Sequence, residues 1–121
     1  MSIPRIVDFR DGAAATDGSI EPGKLLAGTP RTTLANHYSD GSQRFHCGTW
    51  GSTPGRWRVN YTEHEFCYLL EGRVRLTAED GTVAEFRAGD AFVVPAGFNG
   101  SWETLETTRK HYAIFENAAP T

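Results

Sequence analysis

Between Tyr61 and Gly72 the chain reads YTEHEFCYLLEG, which sets two carboxylates (Glu63, Glu65), an imidazole (His64) and a thiol (Cys67) along one short stretch. Groups of these types can move protons or ligate a metal. A transition metal, however, needs several nitrogen or carboxylate donors at about 2.0–2.2 Å, and His64 between two glutamates, with no second histidine in reach, is too sparse a set. His64 reads as a surface histidine. His46 and His111 could join Glu65 only if neighbouring strands carried them to the same place. Near the C-terminus, Trp102 and the run Arg109-Lys110-His111-Tyr112 add an indole, an ammonium and a phenol, which suit recognition of a small polar molecule.

Strands and turns must position these groups. Thirteen glycines and six prolines punctuate the chain at short intervals, and the segments between them are rich in Val, Phe, Tyr, Trp, Leu and Thr, the pattern of short strands. Strands are expected at 44–50, 55–61, 65–70, 73–78, 83–87, 91–94, 100–105 and 110–116. Turns are expected at Glu71-Gly72, Asp80-Gly81, Gly89-Asp90 and Pro95-Ala96-Gly97, with Asp90 capping the backbone of its own turn. No stretch after residue 40 keeps a helical apolar period for three turns. The chain therefore reads as an all-β sandwich or small barrel. Residues 1–40, which include DGAAATDGSIEPG, read as a looser N-terminal arm or covering segment with one or two strands, and 41–118 as the barrel. No repeat or linker divides the chain into further domains.

A length of 121 residues suits one domain with a core of its own. Twelve basic and fifteen acidic residues give a formal charge of −3, with Lys and Arg scattered singly, so no basic stripe exists to follow a phosphate backbone. Nucleic acid is not an expected partner. The opening MSIPRIVDFRDG carries charge and no apolar run of signal-peptide or membrane-span length, so a cytoplasmic protein without a membrane partner is expected. There Cys47 and Cys67 are expected to be free thiols, buried or half-buried, since neither sits in a zinc-binding spacing.

The ordered motifs resemble the cupin superfamily, whose members are double-stranded β-helix, or jelly-roll, barrels. Two signatures mark it, G-x5-H-x-H-x3–4-E-x6-G and G-x5-P-x-G-x2-H-x3-N. Glu65-FCYLLE-Gly72 fits the end of the first, and Gly89-DAFVV-Pro95-A-Gly97 the start of the second. GTWGSTPGRWRVNYTEHEFCYLLEGRVRLTAEDG, AGDAFVVPAGFNGSWE and TTRKHYAIFE are similar to one branch in particular, the small cupins resembling the cupin domain of ureidoglycine aminohydrolase and the ethanolamine-utilisation cupins. The resemblance covers roughly residues 45–116.

That resemblance implies a metal held by three histidines and a glutamate, and the histidines are missing. Counting back from Glu65, the H-x-H pair falls on Val59 and Tyr61 or on Arg58 and Asn60; counting forward from Gly55, on Tyr61 and Glu63. The second-signature histidine position is Gly100 and the asparagine position Thr104. No cofactor is therefore expected, the alternative being a divalent Mn, Ni, Fe or Zn on a set rebuilt from Glu65, His46 and His111.

Residues two apart on a strand share a face. If Glu65 points inward, as its family position implies, Tyr61, Glu63 and Cys67 share that face, while Gly100 carries Trp102 and Thr104 with it. On the last strand Lys110, Tyr112 and Ile114 separate from His111, Ala113 and Phe115, and the branch's Arg-Lys-x-Tyr run implies that Lys110 and Tyr112 face the pocket. Trp50 and Trp57 are left as core or dimer surface. The expected ligand-binding residues are Tyr61, Glu63, Glu65, Trp102, Lys110 and Tyr112, with Glu65 and Lys110 as candidate catalytic groups. The leading expectation is a protein that binds a small polar, carboxylate- or nitrogen-containing metabolite, as a homodimer. The alternative is an enzyme on a nitrogen-containing metabolite, working through a rebuilt metal site or Glu/Lys acid–base chemistry.

Overall fold

Two long strands, β6 (His64–Ala78) and β9 (Asn99–Phe115), lie antiparallel along nearly their whole lengths, and the other strands pair with one or other end of them. The computed structural model describes residues 3–117; residues 1–2 and 118, outer limits of the expected arm and barrel, lie outside the described residues. The remaining strands are β1 (Thr16–Ser19), β2 (Leu25–Gly28), β3 (Arg31–Ser39), β4 (Phe45–Ser52), β5 (Gly55–Asn60), β7 (Val83–Arg87) and β8 (Ala91–Val94), preceded by a 3₁₀ turn at Phe9–Asp11.

The C-terminal half of β9 carries β4, β3 and β1 on one side and, on the other, the first half of β6 followed by β8. Its N-terminal half carries β5 and β2 on one side and the second half of β6 followed by β7 on the other. Trp57 and Val59 of the second set line the same cavity as Trp50, Lys110 and Tyr112 of the first. The two sets thus face one another, and the chain is an all-β jelly-roll barrel. No helix among the described residues is long and apolar enough to cross a membrane.

Where the two sets meet, β6 bends. Residues 65, 67 and 69 are buried in its first half and 74 and 76 in its second, so the inward parity switches. The pairing with β9 slips repeatedly between Leu69 and Val74. Gly72 makes the slip possible: its φ is +89°, and a Cβ there would run into the Thr107 carbonyl oxygen. Glu71-Gly72 is therefore a bulge within one strand and not the expected hairpin turn. A glycine with positive φ serves either feature, and only the pairing with β9 decides between them. The expected strands at 65–70 and 73–78 are one strand, as are those at 100–105 and 110–116.

The described part of residues 1–40 contains three strands, where one or two were expected. β1 is Thr-Asp-Gly-Ser with every residue exposed, so it shows no apolar alternation; it is held by backbone pairing to β3. β3 in turn pairs along β4 with a slip between Asn36 and Tyr38, extending the barrel sheet into this segment. Trp57, Leu69, Val74, Leu76, Val94 and Trp102 form the buried core, with Phe86 and Phe92 stacked beside it at 3.9 Å. At the expected turn after Gly89, the Asp90 carboxylate accepts from the Arg87 N–H at 2.9 Å.

Candidate functional site

β6 and β9 bring Glu65 and Lys110 to the same interior face. Lys110 Nζ lies 2.8 Å from Glu65 Oε2, with Glu65 7% and Lys110 4% exposed. Cys67, fully buried one pleat further along β6, has its Sγ 3.4 Å from both groups. The ammonium also sits over two indoles, 4.3 Å from the Trp102 ring centre and 4.8 Å from that of Trp50, close enough for cation–π attraction. Burial alone lowers the pKa of Lys110, but the facing Glu65 carboxylate outweighs it, so the ammonium holds its proton above the ordinary lysine range. Burial pushes the Cys67 thiol up to about 12, against the pull of Lys110.

The pair forms part of the wall of a cavity of about 460 Å³. Trp102 is fixed by a chain of buried hydroxyls: its indole N–H donates to Thr104 Oγ1 (3.0 Å), which donates to Ser52 Oγ (3.2 Å), which donates to the Thr53 carbonyl (2.6 Å). Trp50 and Trp57, expected as core or dimer surface, line the cavity as well. Their places follow from the register, which sets Trp50 opposite Lys110 and Trp57 opposite Trp102. Tyr61 lines the wall too, its phenol pKa raised by burial although Lys110 opposes the shift.

A second hydrogen-bonded chain runs along the β3–β4 side. The Tyr112 hydroxyl donates to Asn36 Oδ1 (2.7 Å), and Asn36 Nδ2 donates to Ser39 Oγ (2.9 Å). His46 Nδ1 lies 2.6 Å from Ser39 Oγ, and its Nε2 lies 3.1 Å from the Gln43 carbonyl. A carbonyl only accepts, so Nε2 carries a proton toward Gln43, while Nδ1 shares a hydrogen with the Ser39 hydroxyl, and both ring nitrogens are engaged. Burial raises the Tyr112 phenol to about 12. Asn36 and Leu34, both cavity-lining, were missed in the sequence because they belong to the segment read as an arm.

Glu63 does not line this cavity. Thr62 and Glu63 form a bend before β6 starts at His64, so strand parity no longer applies there. Its carboxylate lies in an adjoining cleft with Tyr61 and Glu65, its pKa raised by burial and by Glu116 and Glu65. His111 is on the opposite face from Lys110, with its ring 3.3 Å from Thr49 Oγ1 and edge-on to Phe9. His64 accepts from the Ala96 N–H at 3.0 Å, bracing the turn at Pro95–Gly97.

These residues do not fit the family's divalent metal. Among the described residues no three His, Cys, Asp or Glu side chains come together as a ligand set. Glu65 is already bound to an ammonium, His46 has both ring nitrogens engaged, and His111 faces away. At Gly100, the histidine position of the second signature, an added Cβ would run into the Thr77 carbonyl oxygen, so this backbone has no room for that ligand.

Comparison with known proteins agrees with this architecture. A protein of unknown function of the DUF861 family from Pseudomonas syringae pv. tomato superposes with a TM-score of 0.76 at 28% identity, over 85% of this chain and 45% of that one. The chain thus spans under half of that relative's length. A DUF861 family protein from Thermotoga maritima is 38% identical over 53% of this chain and 73% of its own, with a TM-score of 0.52. The Clostridium difficile EutQ protein shares the fold at 15% identity, with a TM-score of 0.64 over 71% of this chain and 63% of that one. No curated protein matches the chain. Residues 40–112 match the EutQ-like cupin domain; with more than half of its length inside that match, the chain belongs to the EutQ-like cupin family.

Proposed function

We propose that this cupin binds a small polar metabolite in its barrel lumen, with the Glu65–Lys110 pair as the polar anchor and the three tryptophans as walls. The observation that carries this reading is a buried ion pair facing a cavity of about 460 Å³. A cavity with mostly apolar walls and a few convergent polar groups is the usual form of a small-molecule site. Asn36, Ser52, Thr104 and His46 are tied to one another or to backbone, which holds the lumen in shape before any ligand enters.

The enzymatic alternative, on a nitrogen-containing metabolite as in ureidoglycine aminohydrolase, would use Glu65 and Lys110 as base and acid. A lysine whose proton is held above the ordinary range is a poor acid at neutral pH, which favours binding over turnover. A library of small metabolites titrated against ¹⁵N-labelled protein tests the reading, because all three tryptophans of the chain line the cavity. Shifts of the indole N–H signals that vanish in Lys110→Met support lumen binding; ligands that move only surface amides contradict it.

The proposal extends to a second copy of the chain. On the outer face, Val93, Phe66 and Ala113 stand side by side across β8, β6 and β9, with Val93 58% and Phe66 47% exposed. Phe45 and Phe115 pair next to them on β4 and β9. A contiguous apolar face of this kind suits a two-fold contact.

A further inference from the structure

The lumen's charge balance narrows the ligand class, given the binding role just proposed. Among the side chains that line the cavity, Glu65 is the one carboxylate and Lys110 the one ammonium, and both ring nitrogens of His46 are engaged by Ser39 and the Gln43 carbonyl. The charges of Glu65 and Lys110 sum to zero wherever the shared proton sits. A carboxylate entering this space would leave water for indole walls and meet no net positive charge at the pair, and burial of an uncompensated charge is strongly unfavourable. A cationic amine faces the same difficulty.

The polar atoms left open define what does fit. Glu65 Oε1 makes no hydrogen bond among the described residues, because Oε2 takes both Lys110 and Cys67. Lys110 has three protons, one directed to Glu65 and one to Cys67, which leaves one. An open acceptor and an open donor therefore belong to one ion pair. Of the other polar groups on the wall, the Tyr112 proton goes to Asn36 and the Trp102 N–H to Thr104. The Tyr61 hydroxyl and the Trp50 and Trp57 N–H groups make no hydrogen bond among the described residues and add open polar atoms to the cavity wall. An N–H and a C=O on one planar group would satisfy the open acceptor and donor together, and the indoles of Trp50, Trp57 and Trp102 line the space around the pair as an apolar wall for a flat body.

We infer that the ligand is a neutral, flat molecule that presents a carboxamide or lactam edge to Glu65 and Lys110 and its apolar face to the tryptophans, in preference to a carboxylate or an amine. Benzamide, benzoate and benzylamine have similar shapes and differ in charge, so they test this directly. Each is titrated against the ¹⁵N-labelled full chain while the three indole N–H signals are followed. Benzamide is expected to bind the wild type at least about tenfold more tightly than either charged probe. In Glu65→Gln the ammonium loses its counter-charge, and the order is expected to reverse in favour of benzoate.

Benzoate or benzylamine binding the wild type as tightly as benzamide would overturn the inference and leave the lumen as a binding site. If none of the three moves an indole signal up to its solubility limit, the inference fails and the binding reading fails with it. The wild-type comparison needs no variant, so poor folding of Glu65→Gln leaves the test intact.

Discussion

Lys110 Nζ and Glu65 Oε2 meet at 2.8 Å inside the barrel, each side chain under a tenth exposed. Glu65 is the one position that matches the metal-ligand pattern of the cupin signatures, and here its carboxylate is held by an ammonium from the neighbouring strand. A buried pair of this kind is strongly interdependent, because removing one partner strands the other's charge in an apolar setting.

Lys110→Met should therefore destabilise the fold by about 3–5 kcal/mol, while the double variant Glu65→Leu/Lys110→Met should recover most of that loss or exceed wild-type stability. Urea unfolding of the two single variants and the double variant measures this. Additive losses in the double variant would show that the two side chains do not act as a pair.

Alkaline pH should weaken the fold. Lys110, Cys67 and Tyr112 all keep their protons to higher pH when folded than when unfolded, so above the ordinary values the unfolded chain binds fewer protons and stability falls as pH rises. Cys67, with its thiol raised to about 12, begins the loss near pH 9 and accounts for about 3 kcal/mol by pH 11. Unfolding midpoints of wild type and Cys67→Ala at pH 8 and pH 11 check this; an equal drop in both proteins would remove the thiol from the explanation.

The sequence made some of this arrangement legible and hid the rest, for physical reasons. A period of two along β9 was enough to put Lys110 and Tyr112 on one face and His111 on the other. The same rule failed for Glu63, where the chain bends, and it could not foresee the parity switch at the Gly72 bulge. Trp50, Trp57 and Asn36 reach the cavity through cross-strand neighbours up to 76 residues away in the chain. Such partners follow from topology and not from local pattern, and the polar composition of residues 1–40 concealed β3 as a wall of the barrel.

Restoring the signature histidine should not restore a metal. Gly100→His brings a Cβ into the Thr77 carbonyl, and overpacking of this kind costs roughly 1–3 kcal/mol. The variant is expected to unfold at lower urea concentration and to bind no more Ni²⁺ or Zn²⁺ than wild type. Stoichiometric metal uptake by this single change would show that the lumen is closer to a metal site than its donors indicate.

A charge on the outer face should separate the copies. Phe66→Asp places a carboxylate between Val93 and Ala113, on the side of β6 away from Glu65. Sedimentation velocity is expected to show a dimer for wild type and a monomer for the variant, with both folded by circular dichroism. A wild-type monomer at all concentrations would end the second-copy proposal.

The most direct measurement is the metal content of tag-free protein purified without chelators, read by mass spectrometry. With Glu65 held by Lys110 and the histidine positions empty of histidine, Mn, Fe, Ni and Zn should each fall well below about a tenth of an equivalent. Near one equivalent of any of them would contradict an ion-pair-centred lumen and return Glu65 to the role of metal ligand.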